Sequence, residues 1–230
     1  MAGVRDVPPP PVEPDADASD AEWEAYTRAA LDHDRRYGGT ARMLGTWLVV
    51  AGLIGLYAAC ALTLDKLSYW QQIAQGHTPT LSCAINAVVN CGNVINTPQA
   101  SIFGSFPNPL IGVLAWPVVI GFGILLLSGM APRAWHWLGL QVGVTGAIVI
   151  VTWLQFETTY RINALCPWCM VTWAVTIPTF WAVTGRNLRV HAYGNPLARL
   201  VYDVVPVWIV LHYAILFTLV QIHFGSRLWS

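Results

Sequence analysis

Four of the five cysteines form two closely spaced pairs. Cys166 and Cys169 belong to the run Cys-Pro-Trp-Cys, and Cys83 precedes Cys91 by eight residues. A Cys-x-x-Cys pair can close into a small disulfide and reopen by thiolate attack through a mixed disulfide, so this spacing indicates thiol–disulfide exchange. Pro167 suits the first position of a helix, which predicts Cys166 as the N-cap and Cys169 one turn further on. The free N–H groups at a helix N-terminus favour a reactive thiolate.

Two other interpretations of these four cysteines stay open on the sequence alone. Disulfides are routine in an oxidising compartment, so both pairs could be structural. Cys-Pro-Trp-Cys also has the spacing of two zinc ligands, although eight residues is long for the other pair. The redox interpretation is preferred and no metal site is predicted, because a structural disulfide gains little from a helix N-terminus at the edge of a bilayer.

The remainder of the chain indicates a membrane protein. Of its 230 residues, 55% are hydrophobic and only 10% are charged, whereas about 25% of residues are charged in soluble domains. The net charge of zero offers no basic surface, so no nucleic-acid partner is expected. A spanning helix needs about 20 predominantly apolar residues. Five segments qualify, namely residues 44–64, 108–130, 134–156, 166–185 and 204–225.

The predicted fold is an all-α membrane protein with five transmembrane helices, four in a bundle and one added at the C-terminus. The chain divides into a disordered or partly helical cytoplasmic tail, the bundle, and a fifth span with a short outer C-terminus, at residues 1–40, 41–200 and 201–230. In the tail, a short helix is expected with Ser19 or Asp20 as its N-cap. The outer loop of the bundle, residues 65–107, is long enough to predict short helices near residues 67–75 and around Cys91.

Lysine and arginine residues near the ends of these segments predict the orientation. Seven of them lie on one side of the membrane, namely Arg35, Arg36, Arg42, Arg133, Arg186, Arg189 and Arg199. The other side has three, namely Lys66, Arg161 and Arg227. The positive-inside rule then places the N-terminus in the cytoplasm and both cysteine pairs on the outer face of the cell membrane. That face is the oxidising one.

Three smaller features have ordinary structural interpretations. Cys60 lies inside the first span and is expected to be an inert packing residue. Residues 121–123 (Gly-Phe-Gly) lie inside the second span and indicate close helix packing. Glu157 and Arg161 are four residues apart near the outer end of the third span, where a solvated ion pair is expected.

An ordered run of motifs resembles the bacterial vitamin K epoxide reductase family. The run comprises Cys83, Cys91-Gly92, TPQASIFG at 97–104, PNPLIG at 107–112 and CPWC at 166–169. In the other quinone-linked, disulfide-forming membrane family, the Cys-x-x-Cys pair comes before the separated pair, whereas here it comes after. The resemblance covers residues 44–185 and implies a four-helix bundle around a quinone, either menaquinone or ubiquinone, under the outer loop.

The resemblance also implies a role for each of the four cysteines. Cys169 faces the quinone ring, and Cys166 receives electrons from the loop through a transient disulfide with Cys91. Cys83 is then the outermost thiol, the one that oxidises a partner.

Three further residues are assigned to the quinone site. Asn108 stands where the family carries an asparagine that hydrogen-bonds a quinone carbonyl, although a helix cap before Pro109 explains it equally well. Thr97 falls where a serine or threonine assists the reactive thiols. Trp168, inside the Cys-x-x-Cys run, is assigned to the same site.

The predicted function is a membrane thiol–disulfide oxidoreductase that passes electrons to a quinone and so supports disulfide formation. Many bacterial relatives continue into a thioredoxin-like domain. This chain ends at Ser230, so its expected partner is a separate exported thioredoxin-like protein, alongside membrane lipid. Two alternatives are a reductase acting for the quinone or quinone-epoxide product, and a non-enzymatic membrane protein stapled by disulfides.

Overall fold

A computed structural model describes most of the chain. The residues outside the description are 1–7, 9, 34, 35, 37–40, 80, 82, 87, 103, 105, 193, 194, 229 and 230. About a third of the predicted tail, Arg35 of the orientation argument and Phe103 of the family motif therefore lie outside the described residues. The α-helices are α1 (Asp20–His33), α2 (Ala41–Ala74), α3 (Cys91–Ile95), α4 (Asn108–Leu127), α5 (Ala134–Phe156), α6 (Pro167–His191), α7 (Pro196–Tyr202) and α8 (Val205–Phe224).

The structure confirms an all-α membrane protein. Within the described ranges the extended pairing consists of two isolated β-bridges, and four helices are long and apolar enough to cross a bilayer. These spans are Arg42–Ala74, Asn108–Leu127, Ala134–Ile162 and Val205–Leu228. Helix α6 coincides with the predicted fourth span but is not among them, so the count of five spans stays a prediction.

The lower apolarity of α6 agrees with its place inside the bundle. It packs against α2, α5, α7 and α8, so much of its surface meets other helices rather than lipid. Its threonine hydroxyls are satisfied within the helix: Thr172 donates to the Trp168 carbonyl at 3.1 Å and Thr176 to the Thr172 carbonyl at 2.8 Å. A helix with polar side chains is tolerated at membrane depth when those groups have partners.

Helices α2 and α4 form the closest pair in the bundle because glycines let their backbones approach. A Cβ atom added at Gly123 would lie 2.8 Å from the Gly45 carbonyl oxygen and 2.9 Å from the Val49 nitrogen. Side chains at these positions would force the helices apart. The expectation of close packing is right for Gly123 and wrong for Gly121, whose added Cβ would meet nothing within 4 Å.

Helix α2 is longer than the sequence predicted. It contains 34 residues and continues to Ala74, which corresponds to about 51 Å at 1.5 Å per residue. The short helix expected at residues 67–75 is therefore the end of α2, and residues 65–74 are a rigid extension rather than part of the loop. The short helix expected around Cys91 is present as α3.

Helix α1 begins where the tail was predicted to become helical. Both the N–H and the hydroxyl of Ser19 donate to Glu22 Oε2 at 2.8 Å, and the bond from the N–H is the glutamate half of a capping box. The hydroxyl and N–H bonds from Ser19 hold the pKa of the Glu22 carboxyl below its usual value. The Arg133 guanidinium lies 3.8 Å from the Trp23 ring centroid, so α1 contacts the connection between α4 and α5.

Candidate functional site

Cys83 and Cys91 stand at the two ends of a small hairpin. Ala84 and Asn90, the residues just inside the two cysteines, form an antiparallel β-bridge. The bridge brings the Cα atoms of the cysteines to 5.7 Å, and their sulfurs are joined in a disulfide. A separation of eight residues is closed in this way by backbone pairing.

The tip of the hairpin is held by the side chain of Asn86. Its Oδ1 accepts hydrogen bonds from the N–H groups of Val88 at 2.9 Å and Val89 at 2.7 Å. The Ile85 N–H donates to the Val89 carbonyl at 2.9 Å. Asparagine is favoured in turns because its short amide can satisfy nearby backbone groups in this manner.

The hairpin is joined to the segment in front of α6 by a parallel bridge between Val89 and Leu165. The Leu165 N–H donates to the Val88 carbonyl and the Leu165 carbonyl accepts from the Asn90 N–H, both at 2.8 Å. Two backbone hydrogen bonds therefore fix the position of the hairpin relative to the start of α6. This pairing could not be seen in the sequence.

The parallel bridge brings the two cysteine pairs into contact. The Sγ atoms of Cys91 and Cys166 are 3.2 Å apart, and both residues are 0% exposed. Cys166 is the N-cap of α6 with proline at the first helical position, as predicted. Cys166 and Cys169 are thiols here, and their side chains hydrogen-bond each other. The loop disulfide and the Cys-x-x-Cys pair thus form one continuous group of sulfurs.

Asp65 lies against this group and was missed in the sequence. Its Oδ2 atom is 3.4 Å from Cys83 Sγ. It is the only acidic residue between positions 35 and 156, which was the available signal, because an isolated acid beside a membrane span marks a functional site by default. The ligand atoms of Asp65, Cys83 and Cys91 lie within 4.8 Å of one another, but the two sulfurs are bonded to each other and offer no thiolate to a metal.

A cavity of about 550 Å³ begins at the Cys-x-x-Cys pair and extends through the bundle. Cys166 and Cys169 line one end, and Trp135 and His136 at the start of α5 line the other. Most of its walls are apolar side chains of α4, α5 and α6. Its volume falls within the roughly 300–1,000 Å³ of pockets that bury small organic ligands.

Helices α4 and α5 both line the cavity. These helices follow each other in sequence, but α4 packs mainly on α2 and α5 on α6. Gly139 and Gly143 of α5 line the cavity, and a Cβ atom added at either would meet nothing within 4 Å. The cavity therefore has room for a ligand beside these two glycines.

Comparison with protein families shows the family to which the chain belongs. A family model described as the vitamin K epoxide reductase family matches residues 46–184, more than half of the chain. The chain belongs to the vitamin K epoxide reductase family. The resemblance inferred from the motifs is thereby confirmed. A comparison with curated proteins gave no match.

Family membership sets the general activity. Vitamin K epoxide reductase family proteins are membrane disulfide oxidoreductases that use quinones. The Cys83–Cys91 disulfide is compatible with that activity.

Asn108 connects the cavity of this family member to its outer loop. Its Oδ1 accepts from the Ile102 N–H at 2.8 Å, and its Nδ2 donates to the Gln99 carbonyl at 2.7 Å. Pro107, not Asn108, is the N-cap of α4, so the interpretation of Asn108 as a simple helix cap is wrong. The side chain lines the cavity and at the same time holds residues 99–102 across its end.

The other two residues assigned to the quinone site lie in different places. Thr97 lines the cavity, and its hydroxyl donates to the Val94 carbonyl at 2.8 Å. Trp168 is not among the described residues that line the cavity. Its ring packs edge-on against Tyr57, with centroids 5.6 Å apart. The structure thus brings Thr97 and Asn108, but not Trp168, to the cavity that Cys166 and Cys169 share.

Glu157 is buried, and the expectation of a solvated ion pair is wrong for this residue. Its side chain is 8% exposed, while that of Arg161, 3.7 Å away, is 66% exposed. Gln99, which the sequence did not single out, donates from Nε2 to Glu157 Oε2 at 3.4 Å. Glu157 is buried because α5 continues into a π-helical turn, Glu157–Ile162. The turn ends at Asn163, which has the left-handed conformation with φ 56°. This turn folds the end of α5 under the loop.

The end of α8 closes the other side of the hairpin. Val220 and Phe224 pack in one buried cluster with Val88 and Leu165. His223 Nε2 is 2.7 Å from the Asn163 side-chain oxygen, on the turn that precedes Leu165. The final helix therefore supports the hairpin and the Leu165 segment together.

Proposed function

We propose that this protein forms disulfides in exported proteins and passes the electrons to a membrane quinone. The observation that carries the proposal is the 3.2 Å separation of Cys91 Sγ and Cys166 Sγ. It joins the loop disulfide, in which Cys83 is the less buried cysteine, to a Cys-x-x-Cys pair that lines an apolar cavity. Electrons entering at the loop thus have a continuous path of sulfur atoms to the cavity.

The proposed relay begins with both cysteine pairs oxidised. A thiolate of the partner attacks Cys83, which is 6% exposed while Cys91 is 0% exposed, and Cys91 leaves as a thiolate. Cys91 then attacks Cys166 and breaks the Cys166–Cys169 bond, so that Cys169 carries the electron pair beside the cavity. A second thiol of the partner attacks the mixed disulfide and its proton passes to Cys83, which is released as a thiol and then closes on Cys91. The disulfide has moved to the partner, and its two electrons rest on Cys166 and Cys169.

The cavity residues fit a quinone. Its walls are apolar except for a few polar groups, and two of these, Thr97 and Asn108, lie at the same end as Cys169. A bound quinone would supply the acceptor for two electrons and two protons. Within the chain, Asn108 and Gln99 close the end of the cavity and exclude water, and Gly139 and Gly143 leave room for an apolar tail along α5.

The proposal includes an orientation and a partner. Seven lysine and arginine residues flank the spans on the side opposite the cysteine pairs, against three on the cysteine side, which supports a cytoplasmic N-terminus and an outward-facing site in the cell membrane. An exported thioredoxin-like protein is the fitting reductant, because its reactive thiolate has to reach only the sulfur of Cys83.

The decisive experiment measures quinone reduction by the purified protein, driven either by a reduced thioredoxin-like protein or by a small dithiol. Cys169→Ala should lower the rate at least 100-fold with both reductants. Cys83→Ala should lose activity with the protein partner and keep part of it with the small dithiol. Cys60→Ala is the matched control, because Cys60 lies on α2 outside the cavity lining, and its rate should equal that of the wild type.

Two results would overturn the proposal. One is full quinone reduction by Cys169→Ala. The other is a wild-type protein that oxidises neither reductant with menaquinone or with ubiquinone analogues, which would leave the four cysteines as structural.

A further inference from the structure

Asp65 is a carboxylate in contact with the loop disulfide, and the relay described above gives it no role. It belongs to the part of α2 that continues beyond the bundle, so the helix holds it rigidly. Its Oδ2 atom is 3.4 Å from Cys83 Sγ, which is hydrogen-bond distance for a thiol. The residue is half-buried, so its carboxylate also reaches water.

Closure of the loop disulfide requires Cys83 to lose a proton. The thiolate, not the thiol, is the nucleophile in disulfide exchange, and Cys83 is 6% exposed, which leaves little water beside it. A free thiolate at Cys83 would also stand 3.4 Å from the negative Asp65. Transfer of the proton to Asp65 during the attack avoids both the lack of water and the accumulation of two negative charges.

We propose that Asp65 is a catalytic base that takes the proton of Cys83 when the loop disulfide closes. The inference deepens the proposed relay and rests on it. The Cys83 S–H bond breaks and its proton passes to Asp65 Oδ2, while the sulfur electron pair forms the bond to Cys91 Sγ. The Cys91–Cys166 bond breaks, and its electron pair stays on Cys166. The loop pair is then oxidised, Cys166 is reduced, and Asp65 returns the proton to solvent.

The other ionisable groups near the site are engaged elsewhere. The Lys66 ammonium, next in the chain, contacts the Ser101 hydroxyl at 3.4 Å. Glu157 and Arg161 pair with each other at 3.7 Å. The remaining groups are the thiols of the relay itself, Cys91, Cys166 and Cys169. Among the residues that the structure describes, Asp65 is therefore the carboxylate placed to act on Cys83.

The test compares Asp65→Asn and Asp65→Glu with the wild type, and Asp203→Asn serves as the control. Asp203 pairs with Arg199 at 3.8 Å at the opposite end of the bundle. Oxidised protein is mixed with a dithiol, quenched in acid at successive times and alkylated, and the disulfides are identified by mass spectrometry. This reports the cysteine pairs directly, without quinone.

Asp65→Asn should close the loop at least tenfold more slowly at neutral pH, a modest part of the roughly 10²–10⁴-fold that general bases contribute. The Cys91–Cys166 mixed disulfide should accumulate in it. The rate of Asp65→Asn should rise more steeply with pH than that of the wild type, because Cys83 must then lose its proton to solvent before it can attack. Asp65→Glu should restore most of the rate, and Asp203→Asn should match the wild type.

The outcomes separate this inference from the relay on which it rests. A wild-type protein that oxidises no dithiol overturns the relay. A working wild type together with an Asp65→Asn variant of equal rate and equal pH profile overturns the role of Asp65 alone. The same conclusion follows if Asp65→Glu is as slow as Asp65→Asn while both form the Cys83–Cys91 disulfide at equilibrium, since the effect is then structural.

Discussion

Val89 and Leu165 pair in a parallel β-bridge, although 76 positions of the chain separate them. Each is followed within two residues by a cysteine of the relay, Cys91 or Cys166. The backbone therefore sets the distance between the sulfurs, and side-chain packing does not have to. The bridge thus places Cys91 beside Cys166, which lines the cavity.

The contact between Cys91 and Cys166 predicts which disulfide forms when their usual partners are removed. In the double variant Cys83→Ala/Cys169→Ala, mild oxidation should join these two residues, because their sulfurs are already 3.2 Å apart. Peptide mapping by mass spectrometry identifies the bond. A reduced Cys91, or a bond from Cys91 to Cys60, would contradict the arrangement described here.

The side chain of Asn86 is expected to stabilise the hairpin. Asn86→Ala removes the acceptor of two N–H groups, those of Val88 and Val89, and a buried donor left unpaired costs about 1–3 kcal/mol. Hydrogen exchange at these amides should become faster by at least tenfold, and reduced Cys91 should be alkylated faster. Asn86→Asp keeps an acceptor oxygen and should remain close to the wild type. Unchanged protection in Asn86→Ala would show that the parallel bridge alone holds the hairpin.

Two glycines of α5 separate obstruction of the cavity from damage to the fold. Gly143 lines the cavity whereas Gly146 does not, and a Cβ atom added at either meets nothing within 4 Å. Gly143→Leu should raise the KM for quinone at least tenfold with little change in Tm, because the new side chain occupies the cavity. Gly146→Leu should leave both quantities unchanged. Equal KM values in the two variants would place the quinone elsewhere.

Two glycines of α4 test how helices α2 and α4 approach each other. Gly121→Ala should be neutral or stabilise the protein by up to about 1 kcal/mol, since alanine is the better helix former. Gly123→Ala should destabilise it by about 1–3 kcal/mol, the range for overpacking, because its Cβ would lie 2.8 Å from the Gly45 carbonyl oxygen. Thermal unfolding in detergent measures both. A Gly123→Ala variant as stable as Gly121→Ala would show that the helices separate at little cost.

The sequence predicted the features that depend on neighbouring residues. Proline after Cys166 marked the N-terminus of α6, Ser19 marked that of α1, and runs of apolar residues located four membrane helices. The sequence did not predict the features that depend on contacts between distant segments. The burial of Glu157 depends on Gln99 of the loop and on a π-helical turn, and neither leaves a periodic pattern in the sequence.

The remaining site residues divide in the same way. Both cysteine pairs could be proposed from residue type and spacing, whereas the role of Asn108 in holding Ile102 and Gln99 required the structure. Asp65 was visible as an isolated acid. Its contact with Cys83 was hidden because α2 continues past the apolar segment, and helix length beyond a span is poorly encoded by hydropathy.

The burial of the relay has a consequence for its selectivity. Cys91 and Cys166 are 0% exposed and Cys83 is 6% exposed, so among these three residues Cys83 alone offers any surface to solvent, and only a small area. Low-molecular-weight thiols, however abundant, therefore reach Cys83 rarely. They reach Cys91 and Cys166 only when the hairpin opens. In the proposed relay, this burial would protect the electrons from small molecules, and the reductant would be selected by the shape that it presents at Cys83.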